Sequence, residues 1–108
     1  MNNPQESEKS RGSINEKELE TRAEAMMDNY AKYTGQWRIG TMVREGRGMQ
    51  VWPDGSVYEG WWRDNKAHGR GRIIHANGDI YEGDWMEDRA HGYGVYMNSG
   101  GARYEGKW

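Results

Sequence analysis

Three glutamates, Glu59, Glu82 and Glu105, recur at intervals of 23 residues, each between a Tyr and a Gly. Paired carboxylates are the machinery of glycoside hydrolysis, in which the two groups stand about 5 to 9.5 Å apart. His68 and His91 repeat at the same interval. Paired imidazoles suggest zinc, which needs each histidine nitrogen about 2.0 to 2.1 Å from one ion. The glycine pairs Gly46/Gly48, Gly69/Gly71 and Gly92/Gly94 invite comparison with a phosphate-cradling loop. A fourth chemistry lies in Arg63, Lys66, Arg70 and Arg72, with Arg44 and Arg47 before them and Arg89 after, since gathered cations attract anionic lipid or acidic protein.

Which of these survives depends on the elements that carry them. The phrase YEGWWRDNKAHGRG from Tyr58 is nearly duplicated by YEGDWMEDRAHGYG from Tyr81, and units begin at Tyr33, Tyr58, Tyr81 and Tyr104, in steps of 25, 23 and 23. The first Gly of each pair precedes the next Tyr by twelve residues in every unit, so the two extra residues of the first unit lie between Trp37 and Gly46. Stacked repeats tolerate an insertion confined to one connection. Within a unit the period is two: Tyr58, Gly60 and Trp62 share one side of an extended strand, while Glu59, Trp61 and Arg63 share the other. A second strand starts at each glycine pair, as GRGMQVW, GRGRIIH and GYGVYMN. Between the strands, Gly40, Asn65 and Asp88 occupy equivalent positions and are residue types that accept positive φ. Asp54-Gly55, Asn77-Gly78 and Gly100-Gly101 are hairpin-turn signals.

On such a ribbon, equivalent residues of neighbouring units are two strands apart, roughly 9 to 10 Å. That spacing leaves the glutamate column barely at the inverting limit, and the column faces away from the Tyr/Trp side with no pocket evident around it. It rules out one zinc ion shared by His68 and His91, and His75, on the other end of its strand, cannot repair the count. The glycine pairs lack both the Lys-Ser/Thr and the helix start of a phosphate loop. No catalytic, cofactor-binding or metal-ligating residue is therefore expected. Arg63, Lys66, Arg70 and Arg72 remain a weak anionic-lipid patch, diluted by Asp64, Glu87 and Asp88 in the same connections.

The glycines instead solve a packing problem. Leu19 is the single leucine, there is no Phe, and four Val and five Ile complete the branched aliphatics, yet six Trp and seven Tyr fall at regular intervals. Each ring can bury on the order of 150 to 250 Å², and glycine in a strand lets a ring approach closely. The expected core is Tyr33, Trp37, Tyr58, Gly60, Trp62, Gly69, Gly71, Tyr81, Gly83, Trp85, Gly92, Gly94 and Tyr104, with Tyr and Trp rings lying over bare glycine positions.

The N-terminal region differs in kind. Residues 1–13 read as a polar disordered tail. Ser13 and Glu16 form a capping-box signal, and Leu19, Ala23, Met26 and Tyr30 follow helical steps of 4, 3 and 4. This spacing predicts an amphipathic helix over about 14–31, within a segment 14–32 that serves as end cap or docking element. The opposite parity of the ribbon carries Met49, Val51, Ile74, Val95 and Met97 with Trp61 and Tyr93. Leu19, Met26, Tyr30, Trp61 and Tyr93 are accordingly the candidate protein interface.

Tyr-Glu-Gly-x-Trp, a short linker, His-Gly-x-Gly and then Asn/Asp-Gly closely resembles the MORN repeat over Tyr33 to Trp108. The fit is best at Tyr58, Glu59, Gly60, Trp62, His68, Gly69, Gly71, Asn77 and Gly78, and at their counterparts in the next unit. The first unit departs at Thr34 and Glu45, and Asn65 and Asp88 stand where the linker usually has Gly. The resemblance divides 33–108 into units 33–57, 58–80, 81–103 and an incomplete 104–108, which reads as part of a longer protein. It implies a non-enzymatic scaffold in a large cytoplasmic assembly, cytoskeletal or ciliary in kind. Its alternatives are a peripheral adaptor for phosphoinositide or other anionic lipid, and a regulatory segment of an enzyme such as a phosphoinositide kinase. Protein partners are expected, and no cofactor, nucleic acid or small-molecule substrate. The formal net charge of −2 gives no global pull towards nucleic acid. The absence of Cys excludes disulfides and thiolate metal sites. No stretch reaches the roughly 18 apolar residues of a spanning helix.

Overall fold

In the repeat phrase, a tyrosine that lies flat on the sheet needs a strand beside it with no side chain in the way. The computed structural model, which describes residues 15–108, shows how the glycines supply it. After a short 3₁₀ turn, Glu16–Glu18, come eight strands: β1 (Leu19–Met26), β2 (Lys32–Arg38), β3 (Arg44–Val51), β4 (Val57–Arg63), β5 (Lys66–Ile74), β6 (Ile80–Met86), β7 (Arg89–Met97) and β8 (Arg103–Lys107). They form one sheet in chain order, every neighbour antiparallel. Its register places Gly35, Gly48, Gly60, Gly71, Gly83, Gly94 and Gly106 opposite one another in an unbroken row from β2 to β8.

The tyrosines occupy this lane. A Cβ built on Gly48, Gly71 or Gly94 would clash with the hydroxyl end of the ring of Tyr33, Tyr58 or Tyr81 respectively, and one on Gly60 would stand 2.5 Å from the Gly71 Cα. Each ring is anchored at its far end. The Tyr33 hydroxyl donates to the Gln36 carbonyl (2.7 Å), Tyr58 to Trp61 (2.8 Å) and Tyr81 to Asp84 (3.0 Å). The tryptophans link units: Trp62 Nε1 donates to the Gly48 carbonyl (3.1 Å) and Trp85 Nε1 to Gly71 (3.0 Å), each in the preceding unit. Tyr and Trp rings alternate edge-to-face from Trp37 through Tyr33, Trp62, Tyr58, Trp85 and Tyr81 to Trp108, with centroids 5.1 to 5.4 Å apart. The buried core is this layer, on one face of a molecule of 43 × 39 × 18 Å.

Both expected turn types form. Asp64-Asn65 and Glu87-Asp88 each have two consecutive positive φ values (50° and 69°, 48° and 70°), the type I′ conformation whose twist matches a hairpin. In the longer turns, Trp52 N donates to Ser56 O and Gly55 N to Trp52 O, both 2.9 Å, and 75–79 and 98–102 repeat the pattern. Between Gly60 and Trp62 the register slips by two on β5, so His68, Gly69 and Arg70 face Trp61 alone. Such bulges recur in β3 and β7 and strengthen the local twist.

The N-terminal helix is a correction. Leu19–Met26 is an edge strand paired to β2, and the turn after it repeats the unit's own turn. Met27 N donates to Ala31 O (2.7 Å) and Tyr30 N to Met27 O (2.9 Å), with Tyr30 at φ 66° where later turns have Gly. The segment is thus a half-unit, hidden because its helix-prone Ala, Glu and Met residues are held extended by the open edge of β2, a tertiary pairing that overrides propensity. Ile14, Ser13 and the tail 1–13 lie outside the described residues. Tyr104 also departs from the expected core, being 56% exposed, because β8 is the last strand of the sheet and has no glycine strand beyond it to receive the ring.

The lane predicts unequal costs for adding one methyl. Gly71→Ala, under the Tyr58 ring, should destabilise by about 3 kcal/mol. Gly55→Ala, at positive φ but with no atom within 4 Å of the new Cβ, should cost about 1 kcal/mol. Urea unfolding followed by tryptophan fluorescence checks the order, and equal midpoints would refute the ring-on-glycine account.

Candidate functional site

The candidate interface residues from the sequence do not converge. Leu19 and Trp61 are buried against each other on the face opposite the lane, and the Arg47 guanidinium lies 5.3 Å from the Trp61 ring. Neither is an exposed anchor: β1 covers Trp61. Tyr93 is exposed on that same back face, opposite Lys107. Met26 (62%) and Tyr30 (73%) are exposed at the end of β1 and in its turn.

The four cations of the lipid patch also share the back face, interleaved with acids. Arg72 stands 3.8 Å from Glu59, Arg70 3.6 Å from Asp84, and Arg63 approaches the His68 ring at 3.5 Å. Lys66 pairs across the strand with Arg63 and lines a cleft with Asp64 and Glu87. Pairs as long and exposed as these contribute about 0 to 1 kcal/mol. Among the described residues, no three His, Cys, Asp or Glu are placed to hold a metal ion. Glu59, Glu82 and Glu105 are exposed.

The aromatic face holds a groove of about 500 Å³ bordered by Met27, Trp52, Trp62, Ile73, Trp85 and, among its polar groups, Asp28, Arg44 and Asp88. Sequence reasoning missed it. Trp52 and Ile73 belong to different units, and the register that sets Gln50, Tyr58 and Ile73 in a row across β3, β4 and β5 brings them to one groove. Periodicity does carry a signal, since Gln50, Ile73 and Tyr96 are equivalent positions of one face.

Arg44 fills one end of this groove. Its guanidinium lies 4.7 Å from the Trp62 ring centroid and 5.9 Å from that of Tyr33. Nε donates to Asn65 Oδ1 (3.1 Å), Nη2 to the Asn65 carbonyl (3.0 Å) and Nη1 to Gln50 Oε1 (2.5 Å). Burial pulls its pKa below the ordinary arginine value, opposed by the charges of Tyr33 and Asp88, and burial pushes the Tyr33 phenol upward against the influence of Arg44. The linker side chain also holds the backbone of its neighbour. Asn65 Oδ1 accepts from Arg44 N (2.8 Å) and Asp88 Oδ1 from Ala67 N (2.7 Å), so each caps a strand of the preceding unit. This bond explains Asn and Asp at a position where glycine would meet the backbone demand. Glu45, a departure of the first unit, is buried and accepts from Arg38 Nη2 (2.5 Å), which also bonds Asp64 (2.7 Å).

Arg44→Ala should destabilise the chain by about 2 kcal/mol, through lost charged hydrogen bonds and lost stacking, and should red-shift the tryptophan emission as Trp62 meets water. An unchanged spectrum would show that the guanidinium does not shield the ring. Against protein families, residues 33–57, 58–80 and 81–103 each match the MORN repeat. A search of curated proteins returns no match. The half-unit of β1 and all of β8 after Arg103 lie outside the match. With three consecutive units matched over more than half its length, the chain belongs to the MORN repeat family.

Proposed function

We propose that this chain is a non-enzymatic scaffold module whose aromatic groove docks an extended segment of a partner protein. The partner is assigned to a large cytoplasmic assembly, cytoskeletal or ciliary in kind. Membership of a repeat family that forms non-catalytic protein and membrane-lipid interaction modules supports the general role. The observation that carries the docking surface is the groove itself, where the half-buried Trp52, Ile73 and Trp85 and the exposed Asp28 and Asp88 surround about 500 Å³ of open space. Such a combination of apolar walls and a few polar groups suits a bound chain. The lipid reading has less support, because carboxylates lie among Arg63, Lys66, Arg70 and Arg72. Among the described residues no helix is long and apolar enough to cross a membrane.

Capture from a cytoskeletal extract tests the surface. Ile73→Asp should reduce retention of wild-type partners by about 10- to 100-fold, the loss of a central apolar contact, whereas Tyr93→Ala on the back face should leave it unchanged. Retention of every partner by Ile73→Asp would remove the groove from consideration, and loss with Tyr93→Ala would move the interface to the back face.

A further inference from the structure

The groove contains the same local frame twice, once filled and once open. Shifting by 23 residues carries Arg44 to Ala67, Gln50 to Ile73, Trp62 to Trp85 and Asn65 to Asp88. The backbone around the two frames agrees closely. Asn65 N donates to Arg44 O at 3.1 Å and Asp88 N to Ala67 O at 3.0 Å. The two indoles donate to Gly48 and Gly71 at 3.1 and 3.0 Å. In the first frame the chain supplies its own guanidinium, which stacks on Trp62 and bonds Asn65 Oδ1, and Trp62 is only 2% exposed. In the second frame Ala67 supplies only a methyl group, itself buried in the aromatic core at the groove floor, and Trp85 is left half-buried on the groove wall.

The residue beside the open position differs in the direction that a guest would require. Asn65, a neutral acceptor, serves the internal arginine, while Asp88 offers a carboxylate that accepts from Ala67 N and acts on Arg44 only from a distance, forming no ion pair among the described residues. An indole face next to a carboxylate is complementary to a planar cation, which stacks and forms charge-assisted bonds together. We propose that the space above Ala67 is a subsite for an arginine side chain of the docked partner, stacked on Trp85 and bonded to Asp88, in the pose that Arg44 takes on Trp62. This rests on the groove as the docking surface. Arginine is preferred to lysine because a flat fork both covers the ring and meets the carboxylate, whereas an ammonium is a compact, strongly hydrated point charge.

The test uses the whole chain and the probe N-acetyl-arginine-N-methylamide, followed by the Trp85 indole N–H signal in NMR titrations. A saturable shift is expected, weaker by about tenfold in Asp88→Asn as a charged hydrogen-bond partner is lost, and absent in Ala67→Arg, where the subsite carries its own guanidinium. The lysine analogue should bind more weakly than the arginine probe. No saturable shift, equal binding to Ala67→Arg, or equal binding of the norleucine analogue would overturn the subsite. Shifts of Trp85 that depend on protein concentration without probe, and vanish in Ala67→Arg, would assign the occupant to a second copy and overturn the partner assignment. Selection of displayed random peptides separates the two levels. Binders weakened by Ile73→Asp but lacking arginine and indifferent to Asp88→Asn overturn the subsite and leave the docking groove standing. A saturable probe shift, with no selected binder sensitive to Ile73→Asp, retains the subsite and overturns the groove as a protein-docking surface.

Discussion

Everything in this sheet depends on tyrosine rings lying where the neighbouring backbone has no side chains. Tyr33, Tyr58 and Tyr81 rest on Gly48, Gly71 and Gly94, and the cross-strand glycines Gly35, Gly60 and Gly83 let the backbones approach beneath them. A single sheet has no second layer to bury its hydrophobic face, which is why most sheets pack against helices or another sheet. Here the rings themselves are the second layer. Laid down rather than standing up, they cover the backbone, and the shortage of Leu, Ile and Val costs nothing in burial because each ring covers the area of more than one aliphatic side chain.

Coupling between units follows from the same geometry. Trp62 and Trp85 each leave their own unit to donate to a glycine carbonyl of the one before, and the linker residues Asn65 and Asp88 each cap a strand in that unit. Edge-to-face pairs of this type contribute roughly 0.5 to 1.5 kcal/mol beyond burial, and they run continuously along the sheet. Stability is therefore a sum over neighbours, and the first and last described units differ from the middle ones. At one end Trp37 is buried but its indole N–H has no acceptor among the described residues, since the strand on its outer side, β1, sets Arg22 opposite Gly35 and breaks register immediately beyond. At the other, Tyr104 lacks a glycine strand to lie on.

The repeating part is legible in the sequence because two periods coincide there. Alternation assigns the faces, the 23-residue step aligns the units, and Asn, Asp and Gly at fixed offsets mark the turns that Asn65, Asp88, Gly55 and Gly78 adopt. The half-unit before Tyr33 is not legible. Leu19, Ala23, Met26 and Tyr30 do fit a helical stripe, and nothing local records that β2 offers an unpaired edge. Trp61 reads as an open anchor for a related reason: its cover, Leu19, comes from a strand without the repeat signature. The groove is not legible because Trp52 lies in a turn beyond the alternating strand β3, and in the sequence Arg44 is one more cation among several.

The glycine row also decides which wrong pairings the chain can form. Sliding a strand by one residue would set Arg, Met, Tyr or Val beneath a tyrosine ring, so small errors of alignment are expelled by volume. Sliding by a whole unit keeps glycine beside glycine and meets no such obstacle. What denies that larger exchange is tether length, for Asp64-Asn65 and Glu87-Asp88 leave only two residues between partners, too few to reach any strand except the adjacent one.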